Sequence, residues 1–314
     1  MQIAKNNFIS RLNYFEEIVS PENISDTLLM SRAFTETIHN EKVRMLRNGM
    51  AVIGFSILED FIKNRMGEVL KEIGGCGVDF EHLPEKLRVA STVGALKGIQ
   101  NRSELLKRNS EDYISFIQNE ASCISNTHDS PFELSKYSIG WDKSNLSSND
   151  MKDFLHTFKV AGGWDTIQSI SSAININLTS PNEIFSNAAA RRHKAAHSID
   201  ADSLLTDLQE HVSQSKVIAF AFDVLISKSL SHIKNTNSGF LHGAVKTEFR
   251  DLSFRFLLEE TNKWKEYKGN SNRAYRVSDT KEGLLVDAKL RAHNSDEILV
   301  IKSRNNQIVD WENP

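Results

Sequence analysis

Between Asn187 and Asp200 the chain reads NAAARRHKAAHSID, with two arginines, a lysine and two histidines packed into the seven positions Arg191 to His197. Alanine favours helix and adds almost no core volume, so the polar side chains carry the chemistry of this stretch. His193 and His197 are four residues apart and project from the same helix face. Arg192 flanks them, and the alanines leave room for a bulky partner, either a ligand or a second protein surface. The same His-x3-His spacing serves zinc on helices. A third metal ligand would have to come from elsewhere (Glu59, Asp60, His156 or Asp200), and Arg191, Arg192 and Lys194 would oppose a dication. Cations in the last turns of a helix are also favoured by its dipole, which is explanation enough for Arg191 and Lys194.

The helix that carries these residues starts clearly. Ser180 is placed to cap, Pro181 suits a first turn, and Glu183 lies three residues after the cap. The helix is expected to end near Ser198, with Asp200 as N-cap of a long helix running from about Ala201 to Ile233. There Leu205, Leu208, Val212, Phe222, Ile226 and Ile233 keep one phase. Upstream, Val43, Leu46, Met50, Ile53, Ile57 and Phe61 recur at steps of three and four, the stripe of another long helix. Val52 and Phe55 make it apolar on further sides, as in a central helix, and Gly74-Gly75 end it. Shorter helices are expected at Pro84 to Gln100, Ser103 to Ser122, Asp150 to Lys159 and Trp164 to Ile174, with a polar loop from Asn126 to Asn149. GGWDTI at Gly162 reads as a helix start with Trp164 in the core, since it lacks the lysine and spacing of a phosphate loop.

After Asn235 the pattern changes. A last helix is expected over Leu241 to Glu260. VDAKLRA, Val286 to Ala292, alternates like a half-buried strand, and EILVIKSRNNQIVDW reads as two strands with a turn at Asn305-Asn306. The expected fold is therefore mainly α: a helical unit over residues 1–234 with its core at about 44–233, then a linker helix and a small β-rich module over 235–314.

Bulk properties narrow the function. The 314 residues carry a net charge of −3, so contact with nucleic acid must rest on a local basic patch. Cys76 and Cys123 cannot form a disulfide framework and lack metal-type spacing. The amino-terminal stretch does not read as a signal peptide, and no apolar run approaches the roughly 20 residues of a membrane span. A cytoplasmic location is expected.

RHKAAH, Arg192 to His197, resembles the catalytic motif of the HEPN superfamily of helical nucleases: Arg, a polar residue, three further residues, then His. Its place before a long helix agrees with that family, and AVIGFSILEDFI resembles the early buried helix of the branch linked to RNA ligase and phosphatase operons. The resemblance implies metal-independent RNA cleavage by attack of the 2′-hydroxyl, leaving a 2′,3′-cyclic phosphate and a 5′-hydroxyl, with no cofactor. It implies acid/base work for His197, phosphate stabilisation for Arg192, and positioning or secondary proton transfer for His193. Histidine titrates near neutrality, and a planar guanidinium can hold two phosphate oxygens at once. Arg191 and Lys194 are further candidates for RNA contact, and Glu59 or Asp60 for orienting the motif. The family commonly joins two motifs across a homodimer, and commonly serves as toxin or antiviral effector with an antitoxin or defence partner. A catalytically silent HEPN-like module that only binds RNA or a protein is the alternative. In the C-terminal KWKEYKGNSNRAYR, cations interleave with Trp264, Tyr267 and Tyr275, yet from Asn262 onward ten Lys/Arg stand against eight Asp/Glu. With so small an excess these aromatics are read first as core of the β-module, with an RNA-guiding or partner-docking role as the alternative.

Overall fold

The computed structural model describes residues 2–20, 29–269 and 271–314. Helix α1 (Ile3–Val19) packs along the 38-residue α2 (Thr37–Gly74). Helix α3 (Glu85–Val89) passes through one π-helical turn into α4 (Ala95–Arg108), and α5 (Tyr113–Ser125) follows with Asp112 as its cap. The break between the expected segments thus falls at residues 109–112, where Ser110 takes a left-handed φ, and not after Gln100.

The polar stretch 126–149 is largely irregular, as expected, but it is not peripheral. Phe132, Leu134, Tyr137, Ile139 and Leu146 are buried. Its backbone presses on two helices at glycines: a Cβ on Gly98 would collide with the Tyr137 carbonyl oxygen, and one on Gly74 with that of Phe132. Helices α6 (Ser148–Thr157) and α7 (Trp164–Ala173) come next, with Trp164 buried at the start of α7.

Helix α8 (Pro181–His197) ends where the sequence places its end, with Pro181 in its first turn. The long α9 (Leu205–Lys234) starts later than expected, with Leu204 at the N-cap position and not Asp200. Side chains of α2 hold the intervening residues out of helix. Asn48 binds the Ala201 carbonyl at 2.7 Å and the Ser203 N–H at 3.1 Å, and Arg47 pairs with Asp202 at 2.7 Å. Along α2 the buried face comprises Val43, Arg47, Ala51, Phe55, Leu58 and Ile62. Leu46 and Ile53, expected in the apolar core stripe, are exposed.

After the short α10 (Ser238–Leu241), strand β1 (Phe254–Glu260) stands where a helix was expected. Phe254 and Phe256 face one side of the sheet and Leu257 the other, a period of two that becomes legible only with its partners in place. Strands β2 (Lys263–Lys268) and β3 (Arg276–Ser278) continue as a meander. The VDAKLRA segment is helical, within α11 (Glu282–Asn294) and not a strand. Its Leu284, Ala288 and Ala292 recur every four residues and are buried, and Ala, Leu, Lys and Arg favour helix. Strands β4 (Ile298–Lys302) and β5 (Ile308–Glu312) form the expected hairpin, with Asn306 left-handed in its turn.

The sheet order is β3-β2-β1-β4-β5, antiparallel except for β1 beside β4. One face covers Leu284, Ala288 and Ala292 of α11 with Leu257, Leu299 and Ile301. The other face joins the core of the helices through Phe254, Phe256, Val300 and Trp311. Beneath it, Asp223 of α9 is fully buried and accepts from the Trp311 indole at 2.6 Å, the Asn313 amide at 3.0 Å and the guanidinium of Arg65. Burial opposes charge on Arg65, but Asp223, together with Glu68 and Glu72, more than offsets it and holds the guanidinium pKa above its ordinary value. The fold is mainly α with a small mixed sheet toward the C-terminus.

Candidate active site

Helix α8 is fixed at its amino end by rings. Phe185 lies 5.3 Å from Phe55 of α2 and 5.6 Å from Trp164 of α7, centroid to centroid. Past Phe185 the contact face narrows to alanine. Ala188 is buried, and Ala189 and Ala195 pack half-buried against the core. Small side chains let the helix lie close on its neighbours while its other face stays in solvent. At its carboxyl end Arg191 pairs with Asp207 of α9 at 3.2 Å, so this cation fastens two helices together.

The motif residues divide between these faces. His193 and His197 are exposed, their rings 4.7 Å apart and tilted by 52°. Lys194 is exposed as well. Arg192 is half-buried, and its Nε is buried without a hydrogen-bond partner. Among the described residues it makes no ion pair, so its donors are unspent. The chain beyond His197 is clamped to α2 by Arg47 and Asn48, which fixes the end of the helix on which the imidazoles ride.

Glu59 and Asp60 are not brought to this group. Position 55 of α2 lies against Phe185, and both carboxylates sit beyond it, on the side away from His197. Glu59 is buried, pairs with Lys63 at 3.0 Å and accepts the Leu146 N–H at 2.9 Å, which anchors the 126–149 segment. Asp60 pairs with Arg11 of α1 and accepts from Asn64. Among the described residues no group of three or more His, Cys, Asp and Glu is arranged to hold a metal ion.

Two features escaped sequence reasoning. One is the role of Arg191, whose partner lies on the following helix. The other is the outer face of the first half of α2, where Ile38, Met45 and Ile53 are 73%, 71% and 52% exposed beside Leu46. Leu46 and Ile53 were expected in the core stripe, and Ile38 and Met45 were assigned to no face. Residues 47 and 48 hold the chain just past His197, so this apolar face lies at the motif end of the molecule. Ile199, two residues beyond His197, is 88% exposed.

Chemically, the group offers two adjacent, solvent-exposed imidazoles for proton transfer beside a half-buried guanidinium without an ion-pair partner among the described residues. No described helix is long and apolar enough to cross a membrane. A family model described as HEPN_MAE_28990-like HEPN matches residues 24–228, a span that includes Arg192 to His197. That family is distinct in name from the ligase-associated branch that the α2 sequence resembled. No curated protein matches the chain, and no solved structure does.

Proposed function

Because the chain belongs to the HEPN superfamily, we propose that it is a metal-independent endoribonuclease acting in the cytoplasm. The observation that carries this reading is the exposed His193–His197 pair beside Arg192, whose buried Nε has no partner. In the proposed reaction the 2′-oxygen attacks the adjacent phosphorus, and its proton passes to an imidazole. The P–O5′ bond breaks, the leaving oxygen takes a proton, and the products are a 2′,3′-cyclic phosphate and a 5′-hydroxyl. His197 performs acid/base work and His193 positions or relays. Arg192 neutralises the phosphorane oxygens, and Arg191 and Lys194 add positive potential beside the strand.

One motif supplies few groups, and the exposed apolar face of α2 at the same end supports a homodimer that joins two motifs in one cleft. Residues 1–234 form the nuclease unit in this reading and 235–314 an accessory module. Growth-arresting or antiviral RNA cleavage, held in check by an antitoxin or defence partner, is the setting that family membership favours. A silent module that binds RNA or a protein is the second reading. It is favoured by the absence, among the described residues, of a carboxylate orienting either histidine.

Incubating wild type, Arg192→Ala and His197→Ala with total RNA in EDTA, followed by end-group analysis, separates the two. Cyclic-phosphate ends from wild type alone are expected. RNA binding by wild type with no cleavage would establish the silent module instead.

A further inference from the structure

The 30-residue α9 begins beside the motif, and its far end, about 45 Å away at 1.5 Å per residue, leads into α10. There a cavity of about 720 Å³ opens between the start of α3, the end of α6, the turn before α7 and the residues after α10. Lys86, Arg88, Lys159 and Lys246 line it together with His156 and His242. Glu81 and Glu85 are its carboxylates, and none of the four cations makes an ion pair among the described residues. Unneutralised cations gathered around a concavity focus a positive potential there, although the chain as a whole is negative.

The scaffold holds this charge in place. The Thr247 N–H donates to the Lys159 carbonyl at 3.0 Å and the Ala161 N–H to the Thr247 carbonyl at 2.9 Å, a short parallel bridge that sets Lys159 beside Lys246. The Lys159 ammonium donates to the carbonyls of Phe240 and Leu241, so its position is fixed while its charge stays unpaired. Burial, then Lys86, Lys152 and Lys246, lower the pKa of His156, which places those lysines within electrostatic reach of one ring. Lys159 is lowered too, by burial and by Lys246. Like charges held this close favour occupation by an anion.

The cavity is several times larger than a single phosphate and falls in the range of small-ligand pockets. Leu83, Pro84, Val160 and Leu241 add an apolar wall. We propose that this cavity binds a phosphorylated nucleoside, with its phosphates on Lys86, Arg88, Lys159 and Lys246 and its base against the apolar wall. The ligand is either a free nucleotide or the 5′-phosphorylated end of an RNA strand. The site is separate from Arg192–His197 and does not depend on cleavage there.

The test is binding by the full chain, followed by calorimetry for ATP and by fluorescence polarisation for a labelled RNA decamer with a 5′-phosphate or a 5′-hydroxyl. The decamers are measured in an Arg192→Ala/His197→Ala background so that the motif does not contribute. Lys86 and Lys246 are exposed, so Lys86→Glu/Lys246→Glu leaves the fold intact, which a melting curve checks. Saturable binding at one site per chain is expected, weakened at least tenfold by the double reversal. Binding of ATP identifies a free nucleotide, and a tenfold preference for the 5′-phosphorylated decamer identifies a strand end. No saturable binding, or binding indifferent to the reversal, overturns the proposal. Equal binding of both decamers with none of ATP also overturns it, in favour of a groove for RNA backbone.

Discussion

His197 stands in solvent on the last turn of α8, so replacing it with alanine removes a ring without opening a cavity. His197→Ala and Arg192→Ala are expected to melt like wild type yet lower RNA cleavage by roughly 10²–10³-fold each, the scale of a lost acid/base or charge-stabilising group. Single-turnover cleavage and a thermal melt on the same samples check both halves of that statement. A buried histidine gives the contrasting case. His211 of α9 lies beneath Phe15 and Gly54, and burial, with Arg191 adding to it, pushes its pKa down to about 4. Above pH 6.5 the ring is neutral folded or unfolded and costs nothing. As pH falls from about 6.5 to about 4 the unfolded chain takes up a proton that the folded one refuses, and about 3 kcal/mol of stability is lost. Urea unfolding at pH 7 and pH 4.5 should show this loss, and His211→Leu should lack that part of the slope. At this scale the clustering of Arg192, His193 and His197 was legible because the three lie on one helix. The engagement of Glu59 by Leu146, 87 residues away, was not.

Helix α2 shows why an element can be located correctly and oriented wrongly. Its apolar residues occupy more than one face, and periodicity alone cannot say which face meets protein and which meets solvent. The buried side includes Arg47, Glu59, Lys63 and Arg65, charged residues that mimic an outer surface until their partners are known. Helix α11 was misread for a related reason: its apolar positions satisfy a period of two as well as of four, and only the sheet beneath it selects between them. If the exposed apolar face of α2 joins two protomers, Met45→Glu/Ile53→Glu should turn a dimer into a monomer and reduce cleavage at least tenfold, with helical circular dichroism unchanged. Light scattering behind size exclusion reads the mass, and a variant that stays dimeric would place the interface elsewhere.

Across the whole molecule the sheet and the helices share one apolar core, joined at Trp311 and Asp223. Trp311→Ala should cost about 3–5 kcal/mol, the range for deleting a large buried ring. Trp311→Phe should cost about 1–3 kcal/mol, because it keeps most of the volume but strips a donor from a buried carboxylate. Urea unfolding followed by far-ultraviolet circular dichroism should show helix and sheet lost in one transition. A helical transition unmoved by Trp311→Ala would mean the sheet stands apart energetically. The helical class and the closing hairpin were readable from local pattern. The junction was not, since Asp223 and Trp311 are 88 positions apart and neither is distinctive alone. That separation also has a meaning in time. A ribosome adding about 5–20 residues per second releases Trp311 several seconds after Lys234. Throughout that interval the buried carboxylate of Asp223 lacks its indole donor and the face beneath β5 lies open. The core that the helices share with the sheet therefore closes only after β5 has been made.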